Sequence, residues 1–362
     1  MAVGLPLKTT YANGDVYSAS DVNDTNGTIN LFQTSTLSAQ AGKNAVINGG
    51  LDVWQRGTSI SVSGSTAPYT ADRWVFSTGA SAASTVSRQT TSDTTNLPTI
   101  QYCARVQRNS GQTGTGANYF AQSLETTNSI RYVGQSVTLS FYARRGANFS
   151  GASNLLGAFL VSGTGTDQNV ITAYTGSATV ATSDVTLTTT WQRFTITGTV
   201  ARTATELAVY FSYTPSGTAG TNDYYEITGV QLELGTATTF SRAGGTIQGE
   251  LAACQRYYFR NTGGEVYSHY GQGVSIFTNY GNILINMPVT MRVKPTSVEY
   301  SQLAITDNVN YSLAVTALTI NWNSPSVTQV TATTGNGATQ YRPALLTNNN
   351  NTAGYIALNA EL

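Results

Sequence analysis

Residues 44–74 read NAVINGGLDVWQRGTSISVSGSTAPYTADRW, and this stretch decides the fold. Trp54 and Trp74 stand at strand-like positions with Arg56 and Arg73 beside them, separated by a polar Ser/Thr/Gly loop. The Val46-Ile47 pair before Asn48-Gly49-Gly50, with Leu51 and Val53 after it, predicts short strands that turn through glycine and bury large aromatics. Such a run opens a β-sandwich. Trp54, Trp74 and Trp191 are assigned to its core or core edge, and Arg56 and Arg73 to backbone carbonyls or a nearby carboxylate such as Asp72.

Downstream the apolar period is two. Val137, Leu139, Phe141 and Ala143 alternate with Ser136, Thr138, Ser140 and Tyr142. Leu207, Val209, Phe211 and Tyr213 alternate with Glu206, Ala208, Tyr210 and Ser212, and Val230, Leu232 and Leu234 with Gln231 and Glu233. One apolar and one polar face per strand marks antiparallel sheets stacked on a shared core. The expected fold is all-β: a jelly-roll β-sandwich over 44–235, a linker and short helix over 236–254, and a smaller C-terminal β-domain over 255–362. In the linker region Ile247, Leu251 and Cys254 recur at helical spacing, and Leu251 and Cys254 are expected to seat the helix. Residues 1–43 read as an N-terminal attachment arm. Its short helix would be capped by Ser20 or Asp21 and would present Val22, Ile29 and Phe32 on one face.

Only 10% of the 362 residues are charged and the formal net charge is zero, against a usual charged share of about 25%. Neutralising a phosphate backbone takes a surplus of Lys and Arg, so nucleic acid is not an expected partner. A skin of Thr, Ser, Asn and Gln suits neutral ligands such as sugars, or a particle surface that avoids charged neighbours. Cys103 and Cys254 are the only cysteines and His269 the only histidine, with no zinc-type spacing. No apolar run approaches about 18 residues, and no basic-then-apolar leader is seen, so neither membrane insertion nor secretion is expected.

The pieces INGGLDVWQRGTS, YTADRW, LSFYARRG, WQRFTITG, YYEITGVQLELGT, ELAACQRYYFR, MPVTMRVKPT and GYIALNAEL occur in that order from about Asn44 onward. Taken as an ordered set they resemble the tail-fibre and minor-tail virion proteins of tailed bacteriophages. ANGDVYSASDVNDTNGTINLF also looks like the attachment segment that phage fibres carry. The resemblance implies a carbohydrate-binding-module-like jelly roll, a C-terminal β-domain and a homotrimer. It also implies attachment through the N-terminal arm to other tail, baseplate or head proteins. The chain departs from the family at Phe240–Gly245, where FSRAGG stands for a longer, more charged linker and leaves the placement of the two domains open.

Glycosidic chemistry needs two carboxylates across a cleft, and no spacing here sets such a pair together. No nucleophile elbow, P-loop or HExxH occurs, nor the rung repeat of a β-helical depolymerase. The expected role is therefore a non-enzymatic virion fibre, assembled in the host bacterial cytoplasm, that contacts a host surface glycan or receptor. The alternatives are a decoration fibre of head or tail without receptor binding, and a capsule depolymerase. Tyr142, Arg144, Arg193 and Tyr210 are the glycan candidates on the sandwich, placed on what read as adjacent strands. Tyr267, His269 and Tyr270 are the candidates on the C-terminal domain, where rings can stack on sugar faces and polar groups fix hydroxyls. No cofactor is expected beyond a structural Ca²⁺, for which Asp52 with Glu226 or Glu233 are the candidate ligands, since related carbohydrate-binding modules hold one there.

Overall fold

The computed structural model describes residues 41–79 and 82–362. The attachment arm expected over 1–43, with its helix, lies outside the described residues except for 41–43.

Eight strands form the sandwich proper: β4 (Tyr102–Arg108), β5 (Asn118–Ser123), β6 (Ser136–Arg145), β7 (Leu155–Gly163), β8 (Ala178–Thr186), β9 (Gln192–Thr199), β10 (Glu206–Tyr213) and β11 (Tyr224–Leu234). They lie in the orders β4-β11-β6-β9 and β5-β10-β7-β8 in two facing antiparallel sheets. That double Greek key is the jelly roll. Strands β1 (Ser59–Ser63) and β3 (Ala83–Thr90) extend the first sheet to six, and β2 (Val75–Thr78) extends the second to five. Strands β6 and β10 alternate as expected: Val137, Leu139, Phe141 and Ala143 of β6 are all buried in one core with Leu207, Val209 and Phe211 of β10.

The opening stretch differs from the strands expected of it. Residues 44–56 form no strands and instead make a buried irregular plug. Asn48 and Leu51 take left-handed φ of 56° and 55°, and the Asn48 side chain replaces a strand partner. Its Oδ1 accepts from Val53 N at 2.9 Å, while its Nδ2 donates to Val53 O at 2.8 Å and Asp72 O at 3.1 Å. Gly49 is required here, because a Cβ would collide with the carbonyl oxygen of Val230. Trp74 is fully buried as expected, stacked 4.6 Å from Phe120.

The helix Ile247–Gln255 starts at Thr246, whose hydroxyl accepts from Gly249 N at 3.1 Å. Its seated side is not Leu251 with Cys254 but Glu250 with Cys254. Ile247 and Leu251 are exposed. Glu250 faces inward because its carboxylate receives the backbone N–H groups of Asn48 and Gly244.

The C-terminal domain has two parts. Strands β12 (Tyr258–Thr262), β15 (Ser297–Ser301) and β20 (Tyr355–Asn359) make a small sheet in the order β12-β20-β15. Strands β13 (His269–Phe277), β14 (Tyr280–Asn286), β16 (Leu303–Thr306), β17 (Ser312–Asn323), β18 (Val327–Thr334) and β19 (Pro343–Asn348) close into a barrel. Closure leaves that barrel no free edge.

Polar side chains hold the C-terminal domain to the sandwich. Arg73 and Arg56 both pair with Glu361, with Arg73 lying 3.6 Å over the Tyr257 ring and Arg56 3.5 Å over that of Tyr258. Gln55 donates from its backbone N to Asp72 Oδ1 at 2.8 Å and from Nε2 to Tyr258 O at 2.6 Å, and its Oε1 accepts from Arg260 N at 3.1 Å. Arg73 also donates to the backbone carbonyl of Ser123 at 2.8 Å, one of the two kinds of partner expected, while the carboxylate that the two arginines share is Glu361 rather than Asp72.

Burial pushes the Asp72 carboxyl from an ordinary 3.8 up to about 6, against the lowering pull of Gln55 and Arg56. Between those values the folded chain binds more protons than the unfolded one, so Asp72 makes stability fall as pH rises from about 4 to 6. We expect Asp72→Asn to flatten that slope, read as Tm from pH 4 to 7.5 beside the parent chain. A slope unchanged by the substitution would contradict the assignment.

Candidate functional site

The outer face of the six-stranded sheet carries three of the sequence-derived candidates, and it is occupied by the chain itself. Glu226 on β11 is fully buried between Arg105 on β4 and Arg144 on β6, with contacts of 2.6 and 2.5 Å. Arg144 also lies 4.7 Å over the Trp191 ring. Arg193 on β9 sits 5.7 Å over the Tyr142 ring and donates to Ser140 Oγ at 3.2 Å and to the carbonyl of Thr238. The 236–242 segment lies back across this face: Thr138 donates to Gly235 O, and Gln231 Oε1 accepts from Ser241 N at 2.7 Å. Thr138, Ser140, Gln231 and Glu233 are therefore buried rather than solvated. Leu234, expected inward, is 48% exposed.

The Ca²⁺ candidates are paired in the same way. Asp52 accepts from Arg242 Nε at 2.8 Å, Glu226 is held by two guanidiniums, and Glu233 takes Thr238 N at 2.8 Å and Thr238 Oγ1 at 2.7 Å. Among the described residues no group of three or more His, Cys, Asp or Glu could hold a metal. These carboxylates form ion pairs and hydrogen bonds within the chain.

Tyr210 is not beside Tyr142, Arg144 and Arg193 but on the other sheet. It projects outward from β10 in a row of rings, stacked on Phe159 of β7 at 4.4 Å and 10°, and edge-on to Tyr119 of β5 at 6.2 Å. Register sets this row, since Tyr210 pairs with Phe159 across the β10–β7 ladder. Beside the rings lies a cleft of about 350 Å³. Ser77, Tyr119 and Tyr210 line one side and Val161 and Thr179 the other, and the loop after β7 adds Val170, Ile171 and Ala173. Among the described residues no lining side chain is charged. Burial first, and then the neighbouring Tyr119, hold the Tyr210 phenol above its ordinary range, so it stays a neutral hydroxyl.

That loop, residues 164–177, is tied down at several points. Thr164 N donates to Thr175 O at 2.8 Å, Val170 N to Ser123 Oγ at 2.9 Å, and Tyr174 OH to Leu207 O at 2.9 Å. Asp167 pairs with Arg292 of the C-terminal domain at 3.0 Å. Ala173 adopts φ 96°, a conformation costly for a residue with a Cβ, within the part that borders the cleft. A wall fixed this way loses little freedom when a ligand enters.

No family model matches the chain. No curated protein matches it either. Among solved structures, a CBM4 protein is 19% identical over 37% of this chain and 71% of its own, with a TM-score of 0.26. The enzymatically active domain of tailspike protein 4 from bacteriophage CBA120 is 15% identical, covering 53% of this chain and 21% of its own, with a TM-score of 0.31. An apo-form cyclase from Fischerella sp. is 16% identical over 53% of this chain and 95% of its own, at 0.34. Scores this low carry no argument about what the chain binds or does.

On the C-terminal barrel the candidates divide. Tyr267 and His269 share a hollow of about 430 Å³ at one end with Asn308, Val309, Asn310 and Tyr311. Tyr270 does not join them. Alternation along β13 turns it into the barrel core, where its hydroxyl meets Asn348 Oδ1 and Gly354 O and accepts from Gly263 N at 3.0 Å. Tyr119, Phe159 and the 164–177 loop were not among the sequence-derived candidates. The one local signal for Tyr119 is its alternation with buried Phe120 in NYFAQS.

Proposed function

We propose that the chain is a non-enzymatic fibre protein of a tailed-phage virion that meets host surface glycans through the sandwich. The observation that carries this reading is the uncharged, aromatic-walled cleft at Tyr119 and Tyr210. Convergent hydroxyls beside exposed rings are what a neutral, weakly amphipathic sugar needs. The ordered motifs of the sequence support the virion assignment, and the engagement of Glu226, Asp52 and Glu233 by arginines and amides supports contact over catalysis. Attachment runs through the N-terminal arm, and the chains associate as homotrimers. A single shallow site near millimolar supplies roughly −4 kcal/mol, and linking copies multiplies the effective affinity by about 10² to 10⁴.

Two measurements on the full chain test this. Gold-labelled antibody against the protein should decorate the tails of intact particles in micrographs, and sedimentation at micromolar concentration should give three times the chain mass. Label confined to the head, or antibody that leaves infection unimpaired, favours a decoration fibre. A strict monomer removes the avidity argument.

A further inference from the structure

The lining of the Tyr119–Tyr210 cleft is more specific than glycan binding in general, and a choice of sugar class rests on that glycan-binding reading. The rings of Tyr210 and Tyr119 line it, with Phe159 stacked on Tyr210. Aliphatic groups join them, Val161 on the neighbouring strand β7 and Val170 and Ile171 of the tied-down loop, which also contributes Tyr174. Hydroxyls of Ser77, Ser177 and Thr179 stand around the two. A uronate, sialate or phosphorylated sugar would lose its hydration there without meeting a cation, which is unfavourable. An unsubstituted hexose would satisfy the rings and hydroxyls but leave the aliphatic wall facing a polar CH₂OH group.

We propose that this cleft is a subsite for one neutral sugar unit bearing a methyl group, a 6-deoxyhexose or an N-acetylhexosamine. The apolar ring face lies against the tyrosines and the methyl against Val161, Val170 and Ile171. The volume of about 350 Å³ sits at the small end of the range for ligand pockets, which limits the subsite to one or two rings. The rest of a polysaccharide leaves along the sheet. Because the loop is fixed by Ser123, Leu207 and Arg292, the methyl pocket exists before the sugar arrives.

The test uses the full-length protein with four probes: methyl rhamnoside, methyl N-acetylglucosaminide, methyl glucoside and methyl glucuronide. Saturation-transfer NMR should place the strongest signal on the C6 or acetyl methyl protons. Titration should rank one of the methyl-bearing sugars roughly fourfold or more above the glucoside, the effect of burying about one methyl group, with the glucuronide weakest. Which of the two wins separates the deoxy source from the acetyl source. Ile171→Ser, on the loop, should abolish the advantage over glucoside while leaving Tm unchanged, and Tyr119→Ala should weaken all neutral sugars at least fivefold. Equal binding of glucoside or glucuronide, no saturation of any neutral sugar, or an Ile171→Ser chain with its preference intact overturns the proposal. If the chain then still captures host polysaccharide, the fibre reading stands and only this subsite falls. If it captures none, both fall.

Discussion

Glu361→Ala is expected to lower the unfolding free energy by about 3–5 kcal/mol, although the residue lies beyond the last strand. Its carboxylate is the partner of Arg73, which is buried, and of Arg56. Burial alone would push the Arg73 guanidinium down, and the charge of Glu361, together with Tyr257, Tyr69 and the Glu361 hydrogen bond, more than reverses it. Removing that carboxylate strands a cation between the two domains, beside the Tyr257 ring and left with neutral acceptors such as Ser123 O. The cost is that of an unpaired buried charge, not the worth of a surface ion pair, which is about 0–1 kcal/mol. Arg73→Met combined with Glu361→Leu should recover much of the loss, since an apolar pair replaces the more deeply buried cation and its partner, while Arg56 keeps its place over the Tyr258 ring. Urea unfolding of the parent and the two variants checks this; a Glu361→Ala midpoint within error of the parent contradicts it.

Trp74→Ala should cost about 3–5 kcal/mol in the same assay. The indole is fully buried where the irregular plug meets the five-stranded sheet, 4.6 Å from Phe120 and 6.3 Å from Phe211, and its Nε1 donates to Asn48 O at 3.1 Å. Its removal opens a cavity and frees the plug at once. Trp74→Phe keeps much of the volume and loses the hydrogen bond, so it should fall between parent and alanine. An alanine variant that loses under about 1 kcal/mol would show the plug repacking without it.

What the residues disclosed depended on range. Alternation along β6 and β10 is local, so the inward set Val137–Ala143 and Leu207–Phe211 could be read without any partner. Alternation fixes which way a side chain points but not which strand lies next to it. Tyr210 and Tyr142 therefore read as neighbours although they stand on opposite sheets. The outward polar residues Thr138, Ser140 and Gln231 read as solvated because nothing nearby shows that 236–242 folds back over them. Neutral side chains serve equally well under a covering loop and in water, and a chain with so few charges gives little contrast between the two. Glu361 as the partner of Arg73 spans 288 positions, a pairing that no local pattern encodes. Asn48 explains the misread opening: its side chain supplies the hydrogen bonds that a strand neighbour would have given.

The contact with the host proposed above runs through the tyrosine cleft of the sandwich. Phage particles carrying Tyr119→Ala with Tyr210→Ala in this protein, matched to the parent for particle count and intact tails, measure that directly through the adsorption rate on host cells. Loss of one contact per copy, compounded over linked copies, predicts a fall of roughly tenfold or more. Adsorption at the parent rate would contradict it.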